Sequence, residues 1–189
     1  QDPEALNHFR TGYELMQKRS YRNGAIELEQ AVAIDTSYGD AYYVLAQAYK
    51  VLNEYDKAIA NFSAARTLGT KPERVTKELG QLYHKAAISS FGQKKYREAI
   101  DHFQNALEFN PQNAKTHYAM GLSYNGLRDT AKARMAFAKA VEADPKYAKA
   151  LKALADIQRR NRDYGPAVTT YQKAIAADPK YTDAYGGLA

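Results

Sequence analysis

The chain has 189 residues, 45% of them apolar and 25% charged, with a formal net charge of +6. This is the balance of an ordinary soluble protein, and no apolar run approaches the roughly 18 residues a membrane span needs. The basic residues are spread rather than massed, which argues against nucleic acid as the partner, and the absence of cysteine excludes a disulfide framework and thiolate chemistry.

The chain opens at Gln1 rather than Met, which fits either removal of a secretory leader or trimming upstream. Cytoplasmic and periplasmic or secreted settings therefore stay open. Asp2-Pro3-Glu4 reads as a helix start: an N-cap acceptor, a proline in the first turn, then an early acid. One helix is predicted over about 3–18, a turn at Arg19-Ser20 and a second helix over about 22–34, closed by Asp35-Thr36-Ser37. The next pair is predicted near 39–52 and 56–68, ending at Gly69, a C-terminal helix signal. Thr70-Lys71-Pro72-Glu73 has the spacing of a capping box, and Val75, Leu79, Leu82 and Ala86 follow at helical intervals. A single long helix is predicted over about 72–91, then a turn over 92–95, then a helix over 96–109 stopped by Asn110-Pro111. Residues 114–147 and 148–181 each hold another pair, and both close on Asp-Pro-Lys-Tyr. A further unit begins at Thr182, with Tyr185, Leu188 and Ala189 in its first slots. Its outer neighbour would be left uncovered, so the natural chain is expected to continue beyond Ala189 or to dimerise at that end.

Superposed, these segments repeat. His117, Met120, Gly121, Ala133, Phe137, Ala140 and Pro145, with Tyr124 among them, form one copy, and 34 residues after those seven come Leu151, Leu154, Ala155, Ala167, Tyr171, Ala174 and Pro179 in the matching slots. The same slots hold Tyr83, Ala87, Ala99, Phe103, Ala106 and Pro111, and before them Tyr42, Leu45, Ala46, Tyr49, Ala58, Phe62 and Ala65. Gly12, Leu15, Gly24, Leu28 and Ala31 form a looser first copy. The spacing resembles the tetratricopeptide (TPR) repeat over nearly the whole chain. The resemblance implies an all-α fold, a right-handed TPR superhelix or α-solenoid of antiparallel helix pairs. Its repeats are 5–38, 39–72, 80–113, 114–147 and 148–181, with a partial sixth at 182–189 and a helix-extending insertion at 73–79. Seven extra residues are nearly two turns, so the long helix is expected to project roughly 10 Å beyond its neighbours. An inserted loop is the alternative.

The resemblance further implies a non-enzymatic protein–protein interaction scaffold or adaptor that binds a peptide or partner helix in a concave groove. In such proteins repeat offsets 2, 5, 9 and 12 line that groove, and these offsets share one helical stripe. The candidates are Phe9, Tyr13 and Met16; Tyr43, Gln47 and Lys50; His84, Ile88 and Phe91; Tyr118, Leu122 and Asn125; and Lys149, Lys152, Asp156 and Arg159. Eight of these are large and apolar where exposed positions should be polar, which marks a contact surface. The expected ligand is apolar over most of its length with an acidic end over Lys149, Lys152 and Arg159. Tight winding that buries part of the strip is the alternative. The recurring tyrosines at the repeat ends, Tyr38, Tyr147 and Tyr181, read as packing.

The family's clamp for chaperone C-terminal carboxylates wants a set of Lys, Asn and Arg at these offsets. The three frames supply Phe9, Tyr13, Val44, Gln81 and Lys85; Tyr43, Gln47, Lys85, Lys115 and Ala119; and His84, Ile88, Ala119, Lys149 and Ala153, so that clamp is not expected. The four histidines show no zinc spacing, no glycine-rich phosphate loop is present, and neither a cofactor nor catalysis is expected. The alternative function is a self-assembling, homo-oligomeric scaffold that organises a larger complex through repeat ends or the convex face.

Overall fold

In a computed structural model describing residues 2–187, ten α-helices and one 3-10 segment follow in chain order. They are α1 (Pro3–Gln17), α2 (Tyr21–Ile34), α3 (Gly39–Val51), α4 (Tyr55–Thr67), α5 (Pro72–Gly92), α6 (Tyr96–Phe109), α7 (Ala114–Gly126), α8 (Thr130–Ala143), α9 (Ala148–Arg160), α10 (Tyr164–Ala177) and the 3-10 segment Thr182–Gly187. The described residues contain no strand. The architecture is all-α, as the repeat resemblance implies, with helices following one another in pairs. The chain divides into two compact units, Gln1–Ala86 and Ala87–Ala189, with the division inside α5.

The chain enters α1 through Asp2, whose carboxylate accepts from the backbone N–H of Glu4 at 2.8 Å. A single left-handed residue then makes each hairpin turn. Arg19, Asn53, Lys94, Arg128 and Arg162 all have φ near +60°. After each, the next N–H reaches back five residues, as in Ser20 to Leu15 at 2.9 Å and Asp129 to Tyr124 at 2.9 Å. That is the Schellman bond, which satisfies carbonyls orphaned at the helix end. Gly69 ends α4 in the same way.

Each hairpin closes on a small residue facing a large one. A Cβ on Gly121 would lie 2.5 Å from Cε1 of Phe137, and one on Gly12 would lie 2.7 Å from Cγ of Leu28. In the first unit α1 packs on α2 and α3 on α4, around the fully buried Leu28 and Phe62. In the second, Phe103 and Phe137 play that part for α6 and α8, and Tyr171 for α10.

Two expectations need correcting. The first turns of α5 do not project. Val75 and Leu79 are buried, and Glu78 pairs with Lys50 at 2.5 Å, so these turns lie against α3. Apolar residues at helical spacing seek cover, and α3 supplies it. The last segment also differs. Residues 182–187 form a 3-10 turn in which Ala184 is buried and Tyr185 is 47% exposed, so Tyr185 does not fill the slot assigned to it. Three residues per turn instead of 3.6 rotates the side chains out of the repeat's register. Leu188 and Ala189 lie outside the described residues.

The outer face of α1 is unlike its equivalents. Where α3 buries Ala41, Leu45 and Ala48, and α7 buries Thr116, Met120 and Ser123, α1 has Asn7, Thr11 and Glu14, all exposed.

Candidate functional site

The groove candidates are positioned by how each repeat closes. Asp35, Asp144 and Asp178 cap their helices in extended backbone. Each carboxylate then accepts the N–H two residues on, from Ser37 at 2.9 Å, Lys146 at 3.0 Å and Lys180 at 3.0 Å. This Asx turn folds the chain back, so the tyrosine that follows meets the side chain at offset 5 of the first helix of its own repeat. Tyr38 meets Phe9 with ring centroids 4.9 Å apart, and Tyr147 meets Tyr118 edge-on at 5.3 Å.

In the first unit the apolar stripe is largely occupied by the chain itself. Phe9 packs with Leu6 onto Ala5, Ala31, Tyr38 and Ala41, while Tyr13 stacks on Phe9 at 6.0 Å and stays 47% exposed. Met16 is half-buried and lies over Gly24. Tyr43, expected to be exposed, is only 6% so. Its ring meets Phe62 edge-on at 5.6 Å, with the Lys71 ammonium 4.4 Å and the Arg74 guanidinium 5.5 Å from its centroid. Gln47 donates to the Tyr43 hydroxyl at 3.2 Å, and Lys50 is taken by Glu78. His84 is half-buried.

The second unit offers more. Ile88 is 47% exposed, whereas Phe91 packs on Tyr96 at 5.6 Å and joins the core around Phe103. Tyr118 and Leu122 are half-buried against Phe137 and Ile157, and Asn125 is half-buried beyond them. On α9, Lys149 and Arg159 are exposed, and Lys152 is paired with Asp156 at 2.7 Å. Asp156 also accepts a hydrogen bond from the hydroxyl of the buried Tyr171 at 2.6 Å. Its carboxylate is thus committed twice, and the cations around it outnumber it.

Three phenols gather here. Burial first, then the neighbouring hydroxyls of Tyr181 and Tyr147 and the Asp156 carboxylate, push Tyr118 up to about 12. Burial also raises Tyr147 and Tyr181. All three therefore stay neutral hydrogen-bond donors at physiological pH. On sequence grounds Tyr147 and Tyr181 read as packing, and nothing in the repeat spacing points to Lys71 and Arg74. The Asp-Pro-Lys-Tyr motif carried a usable signal for the tyrosines, since an Asx turn fixes where its fourth residue goes.

Clefts elsewhere do not coincide with these residues. One of about 510 Å³ in the first unit is floored by Tyr42 and Leu45 between α2 and α4, and one of about 320 Å³ in the second lies beside His117, Lys139 and Glu142. Among the described residues no helix is long and apolar enough to cross a membrane.

Family models of the tetratricopeptide repeat match residues 39–65 and 118–182, and a TPR-repeat model matches residues 91–127. No curated protein matches the sequence. Among solved structures the chain is similar to YrrB, a TPR protein with an unusual peptide-binding site, at 20% identity and a TM-score of 0.60, over 96% of this chain and 90% of that one. It is similar to MamA from Desulfovibrio magneticus RS-1 at 19% identity and a TM-score of 0.53, over 95% and 98% of the two chains. It is also similar to the first TPR of Spaghetti (RPAP3), bound there to an HSP90 peptide, at 22% identity and a TM-score of 0.55, over 59% and 88%. With the 34-residue period, the left-handed turn of every hairpin and these likenesses together, the chain is a tetratricopeptide-repeat protein.

Proposed function

We propose that this protein is an interaction scaffold that holds a peptide or partner helix along the inward stripes of its first helices, with the principal site in the second unit. The observation that carries this reading is the cluster of Tyr118, Tyr147 and Tyr181 beside Lys149, Lys152 and Arg159. Its phenols offer flat apolar faces together with neutral donors, and Lys149 and Arg159 have no carboxylate partner among the described residues. Such a surface fits a segment whose apolar side chains lie over Tyr118 and Ile88 and whose acidic end meets α9. The test is fluorescence anisotropy with a labelled peptide of leucine and glutamate. Lys149→Glu together with Arg159→Glu is expected to weaken binding roughly tenfold or more. Equal affinity in that variant refutes the site.

A second reading, self-association, is supported at the other end of the second unit. The slot that holds Ile59 (8% exposed) and Ile100 (6%) holds Val168 at 43% in α10, and Tyr164 is 61% exposed. The polar face of α1 argues against head-to-tail stacking, so copies would meet through α10. Light scattering across a concentration series tests this. A dimer lost on Val168→Lys supports it, and a monomer at every concentration rules it out.

A further inference from the structure

The seven-residue lengthening of α5 does more than extend a helix. Together with Lys71 just ahead of it, it brings two cations onto the ring of Tyr43. Tyr43 sits at the offset that in the second unit belongs to Tyr118, but instead of a repeat-closing tyrosine it is covered by two cations. The Lys71 ammonium lies 4.4 Å from the ring centroid and the Arg74 guanidinium 5.5 Å from it. Two like charges on one ring repel, and a nearby anion relieves that. Lys71 has one, Asp40 at 3.4 Å, an ion pair about half exposed on both sides. Lys50 nearby is matched by Glu78. Arg74 is exposed and has no carboxylate partner among the described residues. Lys71 is moreover held at φ 45°, left-handed backbone that a lysine rarely adopts. Unlike the other non-glycine residues with positive φ, it does not lie in a turn between the helices of a hairpin.

We infer that Lys71 and Arg74, seated on the Tyr43 ring, form a second subsite that takes a carboxylate side chain of an acidic peptide. This rests on the peptide-binding reading above and adds to it. Acid in the partner then has a place to bind in the first unit as well as the one on α9. Guanidinium is suited to the task. Its fork can bind a carboxylate through two N–H groups while its flat face stays on the phenol ring.

The probe is a fluorescein-labelled peptide containing leucine and glutamate in equal number, compared with a version in which every glutamate is glutamine. Arg74→Glu and Lys71→Glu are each expected to weaken binding of the glutamate peptide roughly three- to tenfold. Arg74→Gln should give a smaller loss in the same direction. Lys77→Glu, exposed on the same helix but with no contact to the ring, should change affinity less than about twofold. Circular dichroism checks that each variant keeps its helicity. A loss with Lys149→Glu and Arg159→Glu but none with Arg74→Glu overturns this subsite and leaves the α9 site standing. An equal loss with Lys77→Glu and Arg74→Glu reduces the effect to general charge and also overturns it. If the glutamate peptide does not bind the unaltered protein, both readings fall.

Discussion

Asp156 joins the proposed binding surface to the core, and its removal should move stability and binding in opposite directions. Its carboxylate accepts from the Tyr171 hydroxyl at 2.6 Å and from the Lys152 ammonium at 2.7 Å. Tyr171 is 1% exposed, and the Arg159 guanidinium beside its hydroxyl can only donate, so the phenolic proton has no acceptor if Asp156 is lost. A hydrogen bond to a charged group is worth about 1.5–3 kcal/mol, and a stranded buried hydroxyl costs about 1–3 kcal/mol. The half-buried, i,i+4 ion pair with Lys152 adds less, well under about 1 kcal/mol. Asp156→Ala should therefore destabilise the second unit by about 2 kcal/mol, or roughly 10 °C in melting midpoint for a unit of this size. In a Tyr171→Phe background there is no hydroxyl to strand, and the same change should cost under about 1 kcal/mol. The coupling in this double-mutant cycle is thus the measured quantity, read from urea unfolding followed by circular dichroism. The variant also frees Lys152 and removes a negative charge, so an acidic peptide should bind it severalfold more tightly. Equal destabilisation in both backgrounds, or weaker binding of the acidic peptide, would refute the reasoning.

Other perturbations follow from the same coordinates. Gly121→Ala places a Cβ 2.5 Å from the Phe137 ring, which must move, and should cost about 1–3 kcal/mol in chemical denaturation. Tyr43→Ala should behave as a core truncation, losing about 3 kcal/mol of stability, because the ring is 6% exposed and packed on Phe62; an unchanged urea midpoint contradicts this. Tyr118 and Tyr171 are both held near 12, with burial the largest cause, against 10.0 for a free phenol. Their folded-state values lie above the unfolded one, so the stability they contribute is complete below about pH 10 and is lost as the pH rises from 10 to 12. Melting midpoints across that range should fall as phenolate absorbance rises.

The fold was legible because its rules are local and repeated. Alanine at the crossing points, a large aromatic facing it and proline after the second helix recur with one period, and each has a packing reason. The hairpin turns were legible only in place, not in kind. Their left-handed residue is Arg19, Asn53, Lys94, Arg128 or Arg162, none of which announces itself as glycine would. The surface was harder to read. Offsets on one helix showed which side chains share a stripe, but not what lies over them. Tyr43 reads as exposed by its offset and is buried because Lys71, just ahead of α5, and Arg74, in its first turn, lie over it. The charge at repeat 5 was visible, but the pairing of Lys152 with Asp156, and of Asp156 with a core tyrosine, required three dimensions.

The two ends of the array are not equivalent in what they could accept through gene duplication. An additional hairpin ahead of α1 would seal Asn7, Thr11 and Glu14 away from water, and burying an unpaired carboxylate is strongly unfavourable. A hairpin following α10 would instead cover Val168 and Tyr164 and gain from doing so. A hairpin copied onto α10 would therefore find an apolar face ready to bury, whereas one copied ahead of α1 would need those three polar side chains replaced.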